Sequence, residues 1–155
     1  FVFFTWGASA DPEFYFIKTG SRNSIWDQLS GTALSIPANG SLYVAGRYNN
    51  YYTQRRKFIL QNDTLQEVSQ PYYSVGLRTK TLVPIVLFST SDGKREVARI
   101  PANESIEVLL TDNRQSKEGE NAFLIRTPLG LLGWVRIKPS QYYSNVIEGI
   151  SWWGD

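Results

Sequence analysis

Two pairs of carboxylates are the first groups in this sequence that could do chemistry, Asp11 with Glu13 and Glu118 with Glu120. A carboxylate pair can supply a general acid and a general base, but it needs apolar surroundings, and both pairs stand in charged loops. The chain has no His and no Cys, the residues that most often act as general base, metal ligand or thiolate nucleophile. We therefore expect a protein that is not an enzyme and that uses no cofactor or metal.

A second set of residues, between Arg47 and Lys57, could bind nucleic acid, because aromatic rings stack on bases while cations neutralise phosphates. The alternative is a hairpin tip whose rings cover the protein while its charges stay in solvent. With 16 basic and 14 acidic residues, the formal net charge is only +2, far from the basic footprint of a nucleic-acid-binding domain. We favour the hairpin and do not expect nucleic acid as a partner. The residues concerned are Arg47, Tyr48, Tyr51, Tyr52, Arg55, Arg56 and Lys57.

Aromatic residues also stand near both ends of the chain. Trp152 and Trp153 could form a platform for a carbohydrate, but the apolar residues 1–6 offer them a partner. Because loose apolar ends would expose a large patch, we expect both ends to pack on the body of the protein. The apolar run at residues 1–6 is too short to cross a bilayer, so no transmembrane segment is predicted.

A nonapeptide that occurs twice indicates which elements position these residues. IPANGSLYV at residues 36–44 returns as IPANESIEV at residues 100–108, with six of nine positions identical. Each copy places a turn signal between apolar residues that favour strands. The spacing predicts two copies of one small β unit, divided as residues 1–78 and 79–155, with residues 77–82 as the linker.

Short apolar stretches separated by turn residues make the chain mainly β, since no stretch shows a long helical period. The clearest strand is residues 105–110, in which alternation places Ile106, Val108 and Leu110 on one face. Residues 123–126 and 131–137 are predicted to form a hairpin around a turn at residues 127–130, where Pro is second and Gly fourth. Residues 111–121 are predicted to be a charged loop.

The stretch from residue 84 to residue 138 resembles the bacterial Src-homology-3-like repeat, a small β-barrel of extracytoplasmic and cell-wall proteins. The motifs that carry the resemblance are residues 87–93, residues 97–101 before the strand at 105–110, and Gly133-Trp134-Val135. The usual Asn-Val-Arg opening is replaced by Ile-Val-Leu at 85–87, and a Trp often found before the last hairpin is Phe123. The resemblance implies two tandem small barrels, of which the first is diverged and elaborated.

The resemblance also implies a function and a site. It predicts a non-catalytic binding module of a secreted, periplasmic or cell-surface bacterial protein, with peptidoglycan, a glycan or a protein as partner. Src-homology-type barrels bind ligands on aromatic surfaces, so the predicted ligand-binding residues are Trp134, Tyr142 and Tyr143. The alternatives are a structural protein-protein interaction domain without a small ligand and, third, nucleic-acid binding through the segment Arg47-Lys57.

Overall fold

The computed structural model describes residues 2–7, 11–18, 20, 25–47, 49–117, 120–138 and 142–153. These residues form thirteen strands in three antiparallel sheets, with no helix among them, which confirms the mainly β prediction. The three-stranded sheet contains β1 (Val2–Trp6), β2 (Pro12–Ile17) and β3 (Ile25–Ser30). The four-stranded sheet contains β4 (Ala33–Ser35), β5 (Ser41–Gly46), β6 (Gln54–Gln61) and β7 (Thr64–Glu67). The third contains β8 (Tyr72–Lys80), β9 (Ile85–Phe88), β10 (Glu96–Ile100), β11 (Ser105–Lys117), β12 (Glu120–Arg126) and β13 (Leu132–Ile137).

The chain divides into two compact units, Phe1–Ser69 with Trp153–Asp155, and Gln70–Trp152. The first unit holds the three-stranded and the four-stranded sheet, and the second unit holds the six-stranded sheet. None of the three sheets closes into a barrel over the described residues, so the predicted tandem barrels are not confirmed. Residues 77–80 lie in β8, which pairs with β11 in the second unit, so this part of the predicted linker is a strand.

The core of the first unit is built from both of its sheets. Phe14, Phe16 and Leu29 come from the three-stranded sheet, and Val44 and Phe58 come from the four-stranded sheet. In strand β2, buried and half-buried residues alternate. A strand places every second side chain on the same face, so one face of β2 points into the core. The phenylalanine rings supply much apolar area in few residues, which a small core requires.

The second unit is a six-stranded antiparallel sheet in the order β10-β9-β13-β12-β11-β8. Its inward face is apolar and includes side chains that are fully buried. They are Leu87, Val108, Phe123, Ile125 and Ile137, with Ile147 and Ile150 from the segment after β13. The predicted hairpin is confirmed, since β12 pairs with β13 and the amide of Gly130 donates to the carbonyl of Thr127 across the turn at 2.9 Å.

The two copies of the nonapeptide have different roles, and the predicted tandem repeat therefore has no support. The copy at residues 36–44 joins β4 to β5, which are paired neighbours. The copy at residues 100–108 joins β10 to β11, which lie apart in the sheet. The turns also differ in backbone conformation, because Ala38 and Gly40 have positive φ in the first, whereas Asn103 does in the second.

The second turn is held in place by Thr81, which follows β8 and is completely buried. The Thr81 amide donates to the carbonyl of Glu104 at 3.0 Å, and the Asn103 amide donates to the carbonyl of Thr81 at 2.8 Å. The Thr81 hydroxyl donates to the carbonyl of Pro101 at 2.7 Å and accepts from the Glu104 amide at 3.1 Å. One threonine thus satisfies backbone groups of Pro101, Asn103 and Glu104 in this turn.

Two predictions about β11 are wrong. The register of β11 against both neighbours shifts between Val108 and Leu110, so a bulge separates these two residues. A bulge adds one residue to one strand and reverses the alternation beyond it. Ile106 and Val108 are buried in the core, whereas Leu110 pairs with half-buried Leu124 on the other face. Residues 111–117 continue β11 and residues 120–121 begin β12, where a charged loop was predicted.

Candidate ligand-binding surface

Trp134 lies on the face of the six-stranded sheet that points away from the core, which we call the outer face. On β13 the buried Gly133, Val135 and Ile137 alternate with Trp134 and Arg136, which are half-buried. A Cβ atom on Gly133 would stand 2.6 Å from Cβ of Leu87, so only glycine allows β9 to approach β13 here. The Gly-Trp-Val motif therefore has a local explanation: two positions complete the core and the middle one presents an aromatic ring outward.

Trp134 contacts Tyr72, a residue that the sequence did not single out. Their ring centroids are 6.1 Å apart and the ring planes are inclined by 36°, within the range of favourable aromatic pairs. Tyr72 remains 42% exposed. The contact depends on the pairing of distant strands, and no local pattern indicates it.

Cross-strand pairing organises the outer face into rows, since residues directly opposite one another share a face. The aromatic row runs from Phe88 through Trp134 and Leu124 to Leu110. The next row, which we call the charged row, contains Arg78, Glu107 and Arg126; it lies two residues further along β12 and, because of the bulge, three residues further along β11. A step of two residues along a strand is about 7 Å, so one small ligand could touch both rows.

The charged row lies in a groove of about 550 Å³, which is within the range of small-molecule sites. The groove is further lined by Thr79, Ser105 and Ile106 and by the turn residues Thr127, Pro128 and Gly130. Arg126 is ion-paired with Glu107, while Nε of Arg78 is 3.9 Å from Oε1 of Glu107. The groove thus combines guanidinium groups, hydroxyl groups and one carboxylate.

A third row on the outer face is polar and buried beneath a loop. The carboxylate of Asp112 is 1% exposed and accepts a hydrogen bond from the Ser91 hydroxyl at 2.8 Å. Arg136 donates to the carbonyl of Ser91 at 3.1 Å and to Glu120 at 2.7 Å. In the same loop, a hydrogen bond from Lys94 lowers the pKa of Asp92. These contacts fix the loop over this end of the sheet.

Tyr142 and Tyr143, the other two predicted ligand-binding residues, are 60% and 75% exposed. They lie after β13 on a segment closed by backbone hydrogen bonds, from Trp152 to Tyr142 at 2.7 Å and from Ser144 to Ile150 at 2.8 Å. These two tyrosines are adjacent in the chain, whereas Trp134 is in contact with Tyr72. A ligand-binding role for Tyr142 and Tyr143 stays a prediction.

The basic segment between Arg47 and Lys57 belongs to the first unit, and several of its side chains have structural contacts. The Tyr52 ring is 1% exposed, so it cannot stack on a base. The Arg56 guanidinium lies 5.3 Å from the centre of the Phe58 ring and donates to the carbonyl of Ser30. Tyr48 lies outside the described residues, and Arg55, Arg56 and Lys57 lie in β6 rather than in a hairpin tip.

The end of the chain adds a further contact to this segment. The Arg47 guanidinium lies 5.9 Å from the centre of the Trp153 ring, and burial lowers the pKa of Arg47. The backbone of Trp153 also pairs with that of Asn50. At the other end, Val2, Phe3, Phe4 and Trp6 of β1 pair through their backbone with β2, but their side chains remain 39% to 63% exposed.

One member of each carboxylate pair has a contact in the described part of the chain. Glu13 accepts a hydrogen bond from the Tyr15 hydroxyl, and this bond raises the pKa of Tyr15. Glu120 is ion-paired with Arg136, and Glu118 lies outside the described residues. The described part of the chain contains no group of three or more acidic side chains that could hold a metal ion.

Within the described ranges no helix has the length and apolar character needed to cross a membrane. Comparisons with family models, with curated proteins and with solved structures found no match to this chain.

Proposed function

We propose that this chain is a non-catalytic binding module of a secreted, periplasmic or surface-attached bacterial protein, recognising a cell-wall peptide or glycan or a protein partner. The second unit is then a diverged Src-homology-3-like domain, and the first unit is an elaborated companion. Support comes from the antiparallel strands of the second unit and from the Gly-Trp-Val strand, whose tryptophan points outward. Peptidoglycan is the partner that the resemblance favours.

The observation that carries the proposal is the Trp134 ring, which points outward in the row beside the charged row and is in contact with Tyr72. Aromatic rings supply apolar contact at little conformational cost, and a few polar groups orient the ligand. Apolar or sugar parts of a ligand pack on the rings, while its polar groups reach Arg78 and Arg126. This division of roles suits a peptide or glycan better than a purely apolar molecule.

The test is retention of the whole chain on purified, insoluble peptidoglycan. We expect the parent protein to sediment with peptidoglycan and Trp134→Ala to lose at least tenfold in apparent affinity. Trp6→Ala is the matched control, because Trp6 is also exposed (63%) but lies on β1 of the first unit. Failure of the parent protein to sediment would remove peptidoglycan as the partner, and equal loss in both variants would show that the aromatic contact is unspecific.

A structural protein-protein interaction domain is the second candidate. The observation that favours it is the turn between β12 and β13, where Leu129 is 98% exposed and Leu131 and Leu132 are 44% and 49% exposed. Exposed apolar groups in one turn suit a protein surface. Nucleic-acid binding through the segment Arg47-Lys57 ranks third, because Tyr52 and Arg56 already have contacts within the first unit.

A further inference from the structure

The charged row contains an imbalance of charge among its three members. Arg78, Glu107 and Arg126 stand directly opposite one another on β8, β11 and β12. Two guanidinium groups therefore flank one carboxylate, and the row carries one surplus positive charge. A surplus charge in a concave site attracts an anion, and the charge of a single carboxylate would balance it.

The two arginines are held differently by Glu107. Arg126 donates to Glu107, and its side chain is 48% exposed, so the guanidinium is oriented. Nε of Arg78 is 3.9 Å from Oε1 of Glu107, which is too long for a hydrogen bond, and the side chain is 86% exposed. A guanidinium has five N–H donors, so both arginines can serve a ligand while Arg126 keeps its bond to Glu107.

Hydroxyl groups in the groove add further donors. The Thr127 side-chain oxygen accepts a hydrogen bond from the Leu131 amide at 3.1 Å, which leaves its own O–H free to donate to a ligand oxygen. The Thr79 hydroxyl instead donates to the carbonyl of Glu148 at 2.9 Å and is not available as a donor. The donors that line the groove therefore include Arg78, Arg126 and the Thr127 hydroxyl.

We propose that this groove binds the free C-terminal carboxylate of a short peptide, whose preceding residues lie on the aromatic row. The inference rests on the proposed function and names the ligand group that the groove recognises. A planar carboxylate matches the forked donors of a guanidinium. A monocarboxylate balances the single surplus charge of the row, whereas a phosphate dianion would leave an excess of negative charge beside Glu107. The aromatic row, one step of about 7 Å away, accommodates the preceding side chains.

The experiment titrates the whole chain with N-acetyl-D-alanyl-D-alanine and with its C-terminal amide, following binding by NMR chemical shifts. We expect the acid to bind at least tenfold more tightly than the amide. Arg126→Gln and Arg78→Gln each weaken binding of the acid tenfold or more and leave the amide unchanged. Arg99→Gln is the matched control, because Arg99 is exposed in the same unit, is paired with Glu96 and does not line the groove.

Glu107→Gln provides a test with the opposite sign. Removal of the carboxylate that competes for both guanidinium groups should tighten binding of the acid at least threefold, whereas a merely structural role for Glu107 predicts weaker binding. Equal affinity for the acid and the amide would overturn the inference. Tighter binding of inorganic phosphate than of the acid would overturn it too, since the groove would then be a phosphate site.

The outcomes separate this inference from the proposed function. If Trp134-dependent retention on peptidoglycan persists without any preference for the free acid, only the carboxylate site is wrong. If the acid binds but the protein is not retained on peptidoglycan, the carboxylate site stands and cell-wall recognition does not. If the protein is not retained on peptidoglycan and does not prefer the free acid, both proposals are wrong.

Discussion

The rings of Tyr72 and Trp134 are in contact, with centroids 6.1 Å apart, although their strands β8 and β13 are separated in the sheet by β11 and β12. Three steps between strands amount to about 14 Å at the backbone, so both rings must lean toward each other over the strands between them. Ala122 on β12, which is 1% exposed, leaves room for this because its side chain is small. The pair links strands that share no backbone hydrogen bond.

This contact predicts an energetic coupling between Tyr72 and Trp134. Replacing each ring with alanine, singly and together, should give a coupling free energy of about 0.5 to 1.5 kcal/mol, as expected for an aromatic pair. The free energies of unfolding are measured by urea denaturation at constant pH and salt. Strictly additive single effects would mean that the rings do not stabilise the fold through each other.

The hydrogen bonds of Thr81 predict that removal of its hydroxyl lowers the free energy of unfolding. Thr81→Val keeps the size and shape of the side chain but removes the bonds to the Pro101 carbonyl and the Glu104 amide. Buried groups left without partners cost about 1 to 3 kcal/mol each, so we expect the free energy of unfolding to fall by at least about 1 kcal/mol. Thr81→Ser, which keeps the hydroxyl, should lose less. A larger loss in the serine variant would assign the effect to packing.

The close approach of β9 to β13 at Gly133 predicts that a larger side chain at this position destabilises the protein. The methyl group of Gly133→Ala would stand 2.6 Å from Cβ of Leu87 and 3.2 Å from Cγ2 of Val97. Neither strand can yield without disturbing the core, so we expect a loss of about 1 to 3 kcal/mol in the free energy of unfolding. Urea denaturation measures this loss, and an unchanged free energy of unfolding would show that the strands separate freely.

In the segment after β13, we expect two substitutions to differ clearly in their effect on stability. Ile150 is 1% exposed, so Ile150→Ala should cost about 2 to 5 kcal/mol, while 75% exposed Tyr143→Ala should change stability by less than about 0.5 kcal/mol. Deletion of residues 150–155 should likewise lower the melting temperature. Calorimetry measures all three variants, and equal melting temperatures for Ile150→Ala and the parent would contradict the burial of this side chain.

Local patterns in the sequence determined the class of fold and several of its elements. Alternation and turn residues predicted a mainly β chain and the hairpin of β12 and β13, because both depend on neighbouring residues. The same alternation explains why Trp134 points away from the core between Gly133 and Val135. These features need no knowledge of which strand pairs with which.

The tertiary structure decided the topology and the candidate site. The nonapeptide pattern suggested a repeat, yet one copy joins paired strands and the other joins separated strands, because a turn does not determine which strands pair. One bulge turned Leu110 away from the face of Val108. The row of Arg78, Glu107 and Arg126 and the contact of Tyr72 with Trp134 arise from the register of strands far apart in sequence, and register depends on long-range packing.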